Sequence, residues 1–319
     1  MNSGGGELDG PPAARLGEDA YGRRIAEERR REDEFHRLLS TKGTYLKIHA
    51  LHPLIGAVLR LMGLWRRGRR ELLDTVVREN EVEIDGLPAS FDGYRILHLS
   101  DLHIDPEPAL ADSIIRAVAP LDYDLCVMTG DYRWLTVGPQ DAAIALMARL
   151  RPAFRTDVLC VLGNHDPISL AGGLEAAGYK VLLNEAEIVR RGGDALCVAG
   201  VDDPAIFGTH DIGRALAAAP RGCVRILLSH TPGIYGEAEA AGVSLLLAGH
   251  THGGQICLPG GRALKVNCEI PRPLVKGAWR FGALQGYTTA GCGASGVQVR
   301  LNCPSEVVVH TLRRRRPTL

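Results

Sequence analysis

The sequence has few of the features that mark a nucleic-acid-binding or disulfide-stabilised protein. Aromatic residues make up only 5% of the 319 residues, and 37 basic residues balance 37 acidic ones, whereas nucleic-acid-binding domains usually carry a basic surface. The eight cysteines form no CxxC pair and lie singly in apolar runs, as small buried hydrophobes do. This usage argues against a thiolate zinc site and a secreted disulfide framework, and it favours a reducing, cytoplasmic environment.

Long apolar runs are also missing, so no membrane span is predicted. Residues 45–77 contain many aliphatic side chains, but Pro53, Gly56 and Arg60 interrupt them, and a spanning helix needs roughly 20 predominantly apolar residues. One alternative is an amphipathic helix on the inner membrane surface, with Trp65 and the arginines after it among the lipid headgroups. The other is a helix that packs on the rest of the protein. The N-terminus does not resemble a secretory signal.

Composition divides the chain into four parts. Residues 1–44 are polar and rich in mixed charge, which predicts a flexible tail or an exposed helix. Residues 45–91 are predicted to form a helical extension, which lies either on a membrane surface or on the rest of the protein. Residues 92–312 alternate short apolar strands with helical stretches, a rhythm typical of layered α/β domains. Residues 313–319 are predicted to be a basic tail.

Polar residues follow five of the predicted strands, at the end where each strand finishes. The blocks are Asp101-Leu102-His103 after residues 94–100, Gly130-Asp131 after 124–129, Gly163-Asn164-His165-Asp166 after 158–162, Ser229-His230 after 225–228, and Gly249-His250-Thr251-His252 after 244–248. Ligands of open α/β sheets bind beyond the carboxyl ends of the strands, so these side chains are expected to converge on one cleft. Carboxylate, amide and imidazole groups together suit Mn, Fe or Zn.

In this order, the blocks resemble the signature of the calcineurin-like metallophosphoesterases: Asp-x-His, Gly-Asp, Gly-Asn-His-Asp/Glu, His and Gly-His-x-His. The resemblance covers about residues 92–312 and implies an α/β fold, a four-layer αββα sandwich of two mixed β-sheets flanked by helices, here with an N-terminal helical extension. It implies that Asp101, His103 and His252 hold one metal, that Asn164, His230 and His250 hold a second, and that Asp131 bridges both. His165 would act as general acid or charge stabiliser, oriented by Asp166.

With two divalent ions in this centre, Mn preferred over Fe or Zn, the protein is expected to be a phosphohydrolase. A pair of metals roughly 3.5 to 4 Å apart can clamp phosphoryl oxygens and lower the pKa of a bound water toward ~7. The expected reaction is therefore in-line attack of a metal-bound hydroxide on a phosphodiester or pyrophosphate bond.

Further blocks resemble a bacterial phosphodiesterase-like subgroup related to UDP-2,3-diacylglucosamine pyrophosphate hydrolases. They occupy residues 200–203, 249–255, 291–296 and 302–306. Together with the extension at 45–91, they favour a lipid-linked substrate. The alternatives are a nuclease or cyclic-nucleotide phosphodiesterase with the same metal chemistry, or a non-catalytic scaffold, which the complete ligand set disfavours.

Two of these blocks have open roles. The glycine-rich run at 291–296 is either a phosphate-contacting loop or a turn between strands. Asp202 and Asp203 either orient a metal ligand or cap a turn. The sequence leaves the oligomeric state undecided.

Overall fold

The computed structural model describes residues 11–40, 42–263, 265–266 and 268–315. The helices are α1 (Pro12–Leu16), α2 (Glu18–Ser40), α3 (Lys42–Leu61), α4 (Trp65–Leu73), α5 (Ala109–Val118), α6 (Asp141–Leu150), α7 (Leu170–Ala176), α8 (Ile212–Ala215) and α9 (Tyr235–Ala240). The strands are β1 (Val76–Ile84), β2 (Arg95–Leu99), β3 (Leu125–Met128), β4 (Val158–Cys160), β5 (Lys180–Val181), β6 (Glu185–Arg191), β7 (Asp194–Gly200), β8 (Val224–Leu228), β9 (Leu245–Ala248), β10 (Cys257–Leu258), β11 (Arg262–Ala263), β12 (Gly277–Phe281), β13 (Leu284–Thr288) and β14 (Glu306–Arg314).

Two six-stranded mixed sheets form the centre of the protein. Sheet 1 has the order β1-β14-β2-β3-β4-β5, and sheet 2 has the order β12-β13-β9-β8-β7-β6. In sheet 1, β2 to β5 are parallel to one another, and β14 pairs antiparallel with β2. In sheet 2, β7, β8, β9 and β13 are parallel to one another, β6 pairs antiparallel with β7, and β12 pairs antiparallel with β13. The parallel strands therefore bring their carboxyl ends to one edge of each sheet.

Apolar side chains fill the space between the sheets and cover both outer faces. Ile96 and Val127 of sheet 1 share a buried cluster with Ile226 and Leu247 of sheet 2. Leu97, the neighbour of Ile96, points into a separate cluster with α5, α6 and α7, so β2 is apolar on both faces, as internal parallel strands are. A third cluster joins sheet 2 to α8 and α9. The predicted four-layer αββα sandwich is confirmed.

The N-terminal segment forms helices, one of the two predicted alternatives, and not a flexible tail, but it buries part of its surface on the main domain. Residues 12–16 and 18–40 are helical, and two of their arginines are buried because carboxylates of the main domain pair with them. Arg15 Nη2 lies 2.9 Å from Glu185 Oε2, and Arg24 Nη1 lies 3.1 Å from Asp202 Oδ1. A polar helix can bury one face in this way when its charges are paired. Residues 1–10 of the predicted tail lie outside the described residues.

Sheet 1 extends beyond the predicted domain bounds of 92 and 312 at both ends. Strand β1 lies within the predicted helical extension and pairs in parallel with β14, which continues to Arg314. Strand β1 is at the edge of the sheet and is mostly polar, so its sequence lacks the apolar run that marks an internal strand. Residues 316–319 of the predicted basic tail lie outside the described residues.

Helix α3 packs on the domain with one side and exposes apolar residues on the other. Leu59 is buried in a cluster with Val299, whereas Leu54 is 60% exposed and Leu61 is 90% exposed. Among the described residues, no helix combines the length and apolar character that crossing a membrane requires.

Candidate metal centre

The predicted ligands come from the carboxyl ends of both sheets. In sheet 1, Asp101 and His103 follow β2, Asp131 follows β3 and Asn164 follows β4, and in sheet 2 His230 follows β8 while His250 and His252 follow β9. Within the described part of the chain, three groups of side chains have potential metal-ligating atoms within 4.8 Å of one another: Asp101 with His103 and His252, His103 with Asp131 and His165, and Asp101 with Asp131 and His230. The two sheets thus contribute to one cleft.

Asp131 lies at the middle of this cleft. Its Oδ2 atom is 3.5 Å from His103 Nε2, 3.3 Å from His230 Nε2 and 3.9 Å from His165 Nε2. His103 belongs to the predicted first metal group and His230 to the second. The carboxylate therefore reaches both groups, which is the placement that a bridging ligand requires.

The remaining donors surround Asp131 on two sides. In the first group, His252 Nε2 lies 3.5 Å from Asp101 Oδ1 and 3.2 Å from His103 Nε2. In the second group, His230 Nε2 lies 3.0 Å from Asn164 Oδ1 and 3.1 Å from His250 Nδ1. The structure thus brings all seven predicted ligands together in two adjoining sets.

Backbone carbonyls fix the orientation of three imidazole rings. The Nδ1 atoms of His103, His230 and His165 lie 2.8, 2.8 and 2.6 Å from the carbonyl oxygens of Arg133, Thr129 and Trp134. A carbonyl oxygen only accepts, so each Nδ1 carries the hydrogen, and the lone pair of a neutral ring lies on Nε2, facing Asp131. This is the arrangement by which proteins prepare histidines for metal binding.

The backbone at the ligand positions is strained. Five of the eight described non-glycine residues with positive φ are predicted ligands: Asp101, His103, Asp131, His250 and His252, with φ between 38° and 70°. Such conformations cost about 1–3 kcal/mol each and persist where the surrounding structure enforces them, commonly at functional sites. Tight turns directly after the strands thus direct these side chains into the cleft.

The charges in the cleft fit divalent cations. Burial alone would raise the pKa of Asp131, but the nearby imidazoles, above all that of His230, hold it well below its usual range. Burial lowers the pKa of His230, yet Asp131 and Asp101 together raise it to about 10. Burial lowers the pKa of His103 to about 3 and that of His250 to about 4. The Asp131 carboxylate, an amide oxygen and the neutral rings of His103 and His250 are donors that suit Mn, Fe or Zn, and a cation bound here would displace the second proton of His230.

Asp166 has a different role from the predicted one. Its Oδ2 accepts hydrogen bonds from the backbone N–H groups of Asp131 and Gly163 at 2.7 and 2.9 Å, and its Oδ1 accepts one from Tyr132 at 3.0 Å. The carboxylate therefore joins the loops after β3 and β4. The ring of His165 is instead oriented by the Trp134 carbonyl, because its Nδ1 points there.

The sequence profile of the calcineurin-like phosphoesterases matches residues 94–254, about half of the chain and the part that contains every predicted site residue. The chain belongs to this family. As a calcineurin-like phosphoesterase it is a metal-dependent hydrolase of phosphoesters, so the predicted enzyme class is confirmed.

Several relatives of this phosphoesterase are similar over most of its length. The metallophosphoesterase YkuE of Bacillus subtilis is 29% identical over 74% of this chain and 84% of its own length. The phosphodiesterase YaeI of Escherichia coli is 28% identical over 68% of this chain and 81% of its own. A Danio rerio protein, called transmembrane protein with metallophosphoesterase domain, is 29% identical over 80% of this chain and 60% of its own.

Helix α2, which precedes the matched region, reaches the site loops and was not among the predicted site elements. Arg24 donates from Nη2 to the Asp166 carbonyl at 2.5 Å, and Arg31 donates from Nη1 to the Asn164 carbonyl at 3.2 Å. Glu28 Oε1 accepts from the Ile168 N–H at 2.8 Å. The spacing of 24, 28 and 31 places the three side chains on one helix face. The sequence contains this spacing. Composition alone, however, does not distinguish a charged helix face that is buried in ion pairs from one that is exposed to solvent.

The two motifs whose roles the sequence left open both make contacts that support the fold. Asp203 caps a turn, since its carboxylate accepts from the N–H groups of Ala205, Ile206 and Phe207, whereas Asp202 anchors Arg24. In the glycine-rich run at 291–296, the N–H groups of Cys292 and Gly293 bond the carbonyls of Ser100 and Asp101 at 2.9 and 2.7 Å. These two amides are thus already used and support the loop after β2.

Proposed function

We propose that this chain hydrolyses a phosphodiester or pyrophosphate bond in an amphipathic, lipid-linked substrate, of which UDP-2,3-diacylglucosamine is an example. The observation that carries the proposal is a cavity of about 410 Å³ beside His250 and His252. Ile55 of α3, Ile256 and Val297 line it, and the exposed apolar side of α3 adjoins it. A substrate with an acyl chain and a phosphate group would find an apolar wall next to the metal ligands.

The seven ligands, Asp101, His103, Asp131, Asn164, His230, His250 and His252, would hold two divalent ions, with Mn preferred. When bound, the ions would supply Lewis-acid activation of water and of the phosphoryl group. His165 would serve the leaving group: with Nδ1 held by the Trp134 carbonyl, the protonated ring carries a second hydrogen on Nε2, which faces the cleft. This hydrogen can stabilise, or be donated to, the departing oxygen.

Two further points support a diester over a monoester. The Escherichia coli relative is named a phosphodiesterase. The cavity beside His250 also gives room for a second substituent on phosphorus, which a monoester lacks.

Manganese-dependent hydrolysis of bis-p-nitrophenyl phosphate, measured beside p-nitrophenyl phosphate, tests the proposal. We expect the unmodified protein to hydrolyse the diester. Asp131→Asn should lose this activity, because it removes the negative charge that the two sets of metal ligands share. The matched control is Asp122→Asn, which neutralises an exposed carboxylate and should keep full activity. A protein that binds two manganese ions yet hydrolyses neither ester nor UDP-2,3-diacylglucosamine would contradict the proposal.

A further inference from the structure

A second cavity, of about 370 Å³, lies between α2 and residues 136–141. Pro167 and Ser169 line it just after the His165 loop, and Arg31, Arg133 and Phe207 line it as well. This second cavity therefore adjoins the loop that carries Asn164 and His165. The cavity beside His250 and His252 does not contact that loop.

Of the two arginines that line this cavity, Arg31 makes fewer hydrogen bonds than Arg133 within the described part of the chain, and its guanidinium lies 5.8 Å from the centre of the Phe207 ring. It is partly buried, and its described hydrogen bond is the one from Nη1 to the Asn164 carbonyl. Among the described residues it forms no ion pair with a carboxylate, unlike Arg24, which pairs with Asp202 and Glu28. Burial lowers the pKa of Arg31 while the charges of Glu27, Asp203 and Asp131 raise it. An arginine remains charged under such shifts, so a partly desolvated cation lies beside the candidate metal centre.

The other charged groups of the cavity are already engaged or lie at its rim. Arg133 donates to the carbonyls of His165 and Gly138, both at 2.7 Å. Glu28 is engaged with Arg24 and with the Ile168 N–H. Glu32 and Asp141, which also line the cavity, are exposed. Arg31 is thus the group that is placed to take an anionic ligand next to the metal centre.

We propose that this cavity is a leaving-group subsite in which Arg31 binds a second phosphoryl group attached to the one that is cleaved. The guanidinium fork matches two phosphate oxygens, which makes arginine selective for such a group. Its contact with Asn164, a predicted metal ligand, places this second phosphoryl group directly beside the first. The inference rests on the proposed function and makes it more specific. The preferred substrate would contain a pyrophosphate bond, so that a second phosphoryl group is attached to the one that is cleaved.

Binding of α,β-methylene-ADP and of AMP tests the subsite, since the two differ by one phosphoryl group and neither contains a cleavable pyrophosphate bond. Dissociation constants would be measured by calorimetry at equal free Mn²⁺ for the unmodified protein, Arg31→Gln, Arg31→Lys and Arg29→Gln. Arg29 is the matched control because it is an exposed arginine of the same helix. Far-UV circular dichroism and bound manganese would verify that each variant is folded and loaded.

We expect the unmodified protein and Arg29→Gln to bind α,β-methylene-ADP at least about tenfold more tightly than AMP, the ratio typical of one hydrogen-bonded charge pair. Arg31→Gln should bind the two nucleotides with about equal affinity, and Arg31→Lys should show a smaller preference for α,β-methylene-ADP than the unmodified protein. An equal ratio in Arg31→Gln and the unmodified protein, or no preference in the unmodified protein, overturns the proposal. If Arg31→Gln does not fold, an undiminished ratio in Arg31→Lys overturns it. These affinities need no turnover, so failure of the diester assay alone would count against the proposed function and not against Arg31.

Discussion

Asp131 Oδ2 and His165 Nε2 lie 3.9 Å apart, and we propose separate tasks for the two residues. The Asp131 carboxylate is fully buried among three imidazoles and is placed between both groups of predicted ligands. His165 is partly exposed at the edge of the cleft and contacts His103 edge-on, with ring centroids 4.7 Å apart. One residue is therefore positioned to hold metal and the other to contact substrate.

The variants Asp131→Asn and His165→Ala should separate these tasks. Asp131→Asn should lose most of the bound manganese from both sites, because the shared negative charge is removed. His165→Ala should keep its manganese and lose about 10²- to 10⁴-fold in kcat, the usual contribution of a proton-transferring group. Elemental analysis of the purified proteins together with steady-state rates on the diester would measure both effects. Equal metal loss in the two variants would contradict this division.

At this scale the sequence predicted which side chains meet in the cleft, but it did not predict the contacts that orient them. Asp101, Asp131 and His230 could be predicted because each follows an apolar strand, and strand ends share an edge of the sheet. The orientation of His165 could not, because it depends on how the loops after β3 and β4 cross. In these loops Asp166 accepts hydrogen bonds from backbone N–H groups. The Trp134 carbonyl, and not Asp166 as expected, accepts the hydrogen bond from His165 Nδ1.

Helix α2 is attached to the domain by a buried ion pair. Arg24 and Asp202 are both 0% exposed and lie 3.1 Å apart, and the guanidinium stacks 3.4 Å from the ring centre of Phe207. Burial raises the pKa of Asp202, and Arg24 opposes that shift. Removing Arg24 would leave a carboxylate without its cation in a site closed to water.

Arg24→Met should lower the free energy of unfolding by about 3–5 kcal/mol, the usual effect of removing one partner from a buried pair. The double variant Arg24→Met/Asp202→Asn should recover part of this loss, since the unpaired charge is gone. Arg23→Met, at an exposed position of the same helix, should change stability by less than about 0.5 kcal/mol. Urea unfolding of the manganese-loaded proteins would measure all three. A double variant no more stable than Arg24→Met would rule out the buried charge as the cause.

The sequence analysis missed strand β1 and left helix α2 as one of two alternatives, and both elements are polar. Strands β2, β3 and β4 stand out as apolar runs because both of their faces are buried. Strand β1 carries Glu79, Glu81 and Glu83 along one exposed side of the sheet edge, and α2 is stabilised by charge pairs. Since neither depends on a wide apolar face, hydrophobic patterning could not reveal them.

Across the whole molecule, the cavity beside His250 and the exposed side of α3 lie next to each other. Leu54, Val58, Leu61 and Met62 expose 44–90% of their surface, and Arg66 and Arg70 are exposed on the following helix. Apolar groups flanked by arginines match the boundary between the acyl chains and anionic headgroups of a bilayer. A lipid-linked substrate could then enter the cavity without leaving the membrane surface.

We expect the protein to sediment with vesicles of phosphatidylethanolamine and phosphatidylglycerol. Leu54→Ser/Leu61→Ser should weaken this binding at least about tenfold, because each leucine contributes roughly 1.5–3 kcal/mol when fully buried. Phe281→Ser, which replaces an exposed apolar residue of β12, is the control and should bind as the unmodified protein does. Equal sedimentation of all three proteins would exclude α3 as the contact.

The Arg24–Asp202 pair also restricts how such a chain can diverge during evolution. The two residues lie 178 positions apart, one before the matched family region and one inside it. A descendant that keeps α2 but replaces Arg24 inherits a buried carboxylate without its cation beside the loop of His165, so this replacement is tolerated only with a neutral residue at 202. Homologues that retain one partner without the other should therefore be rare.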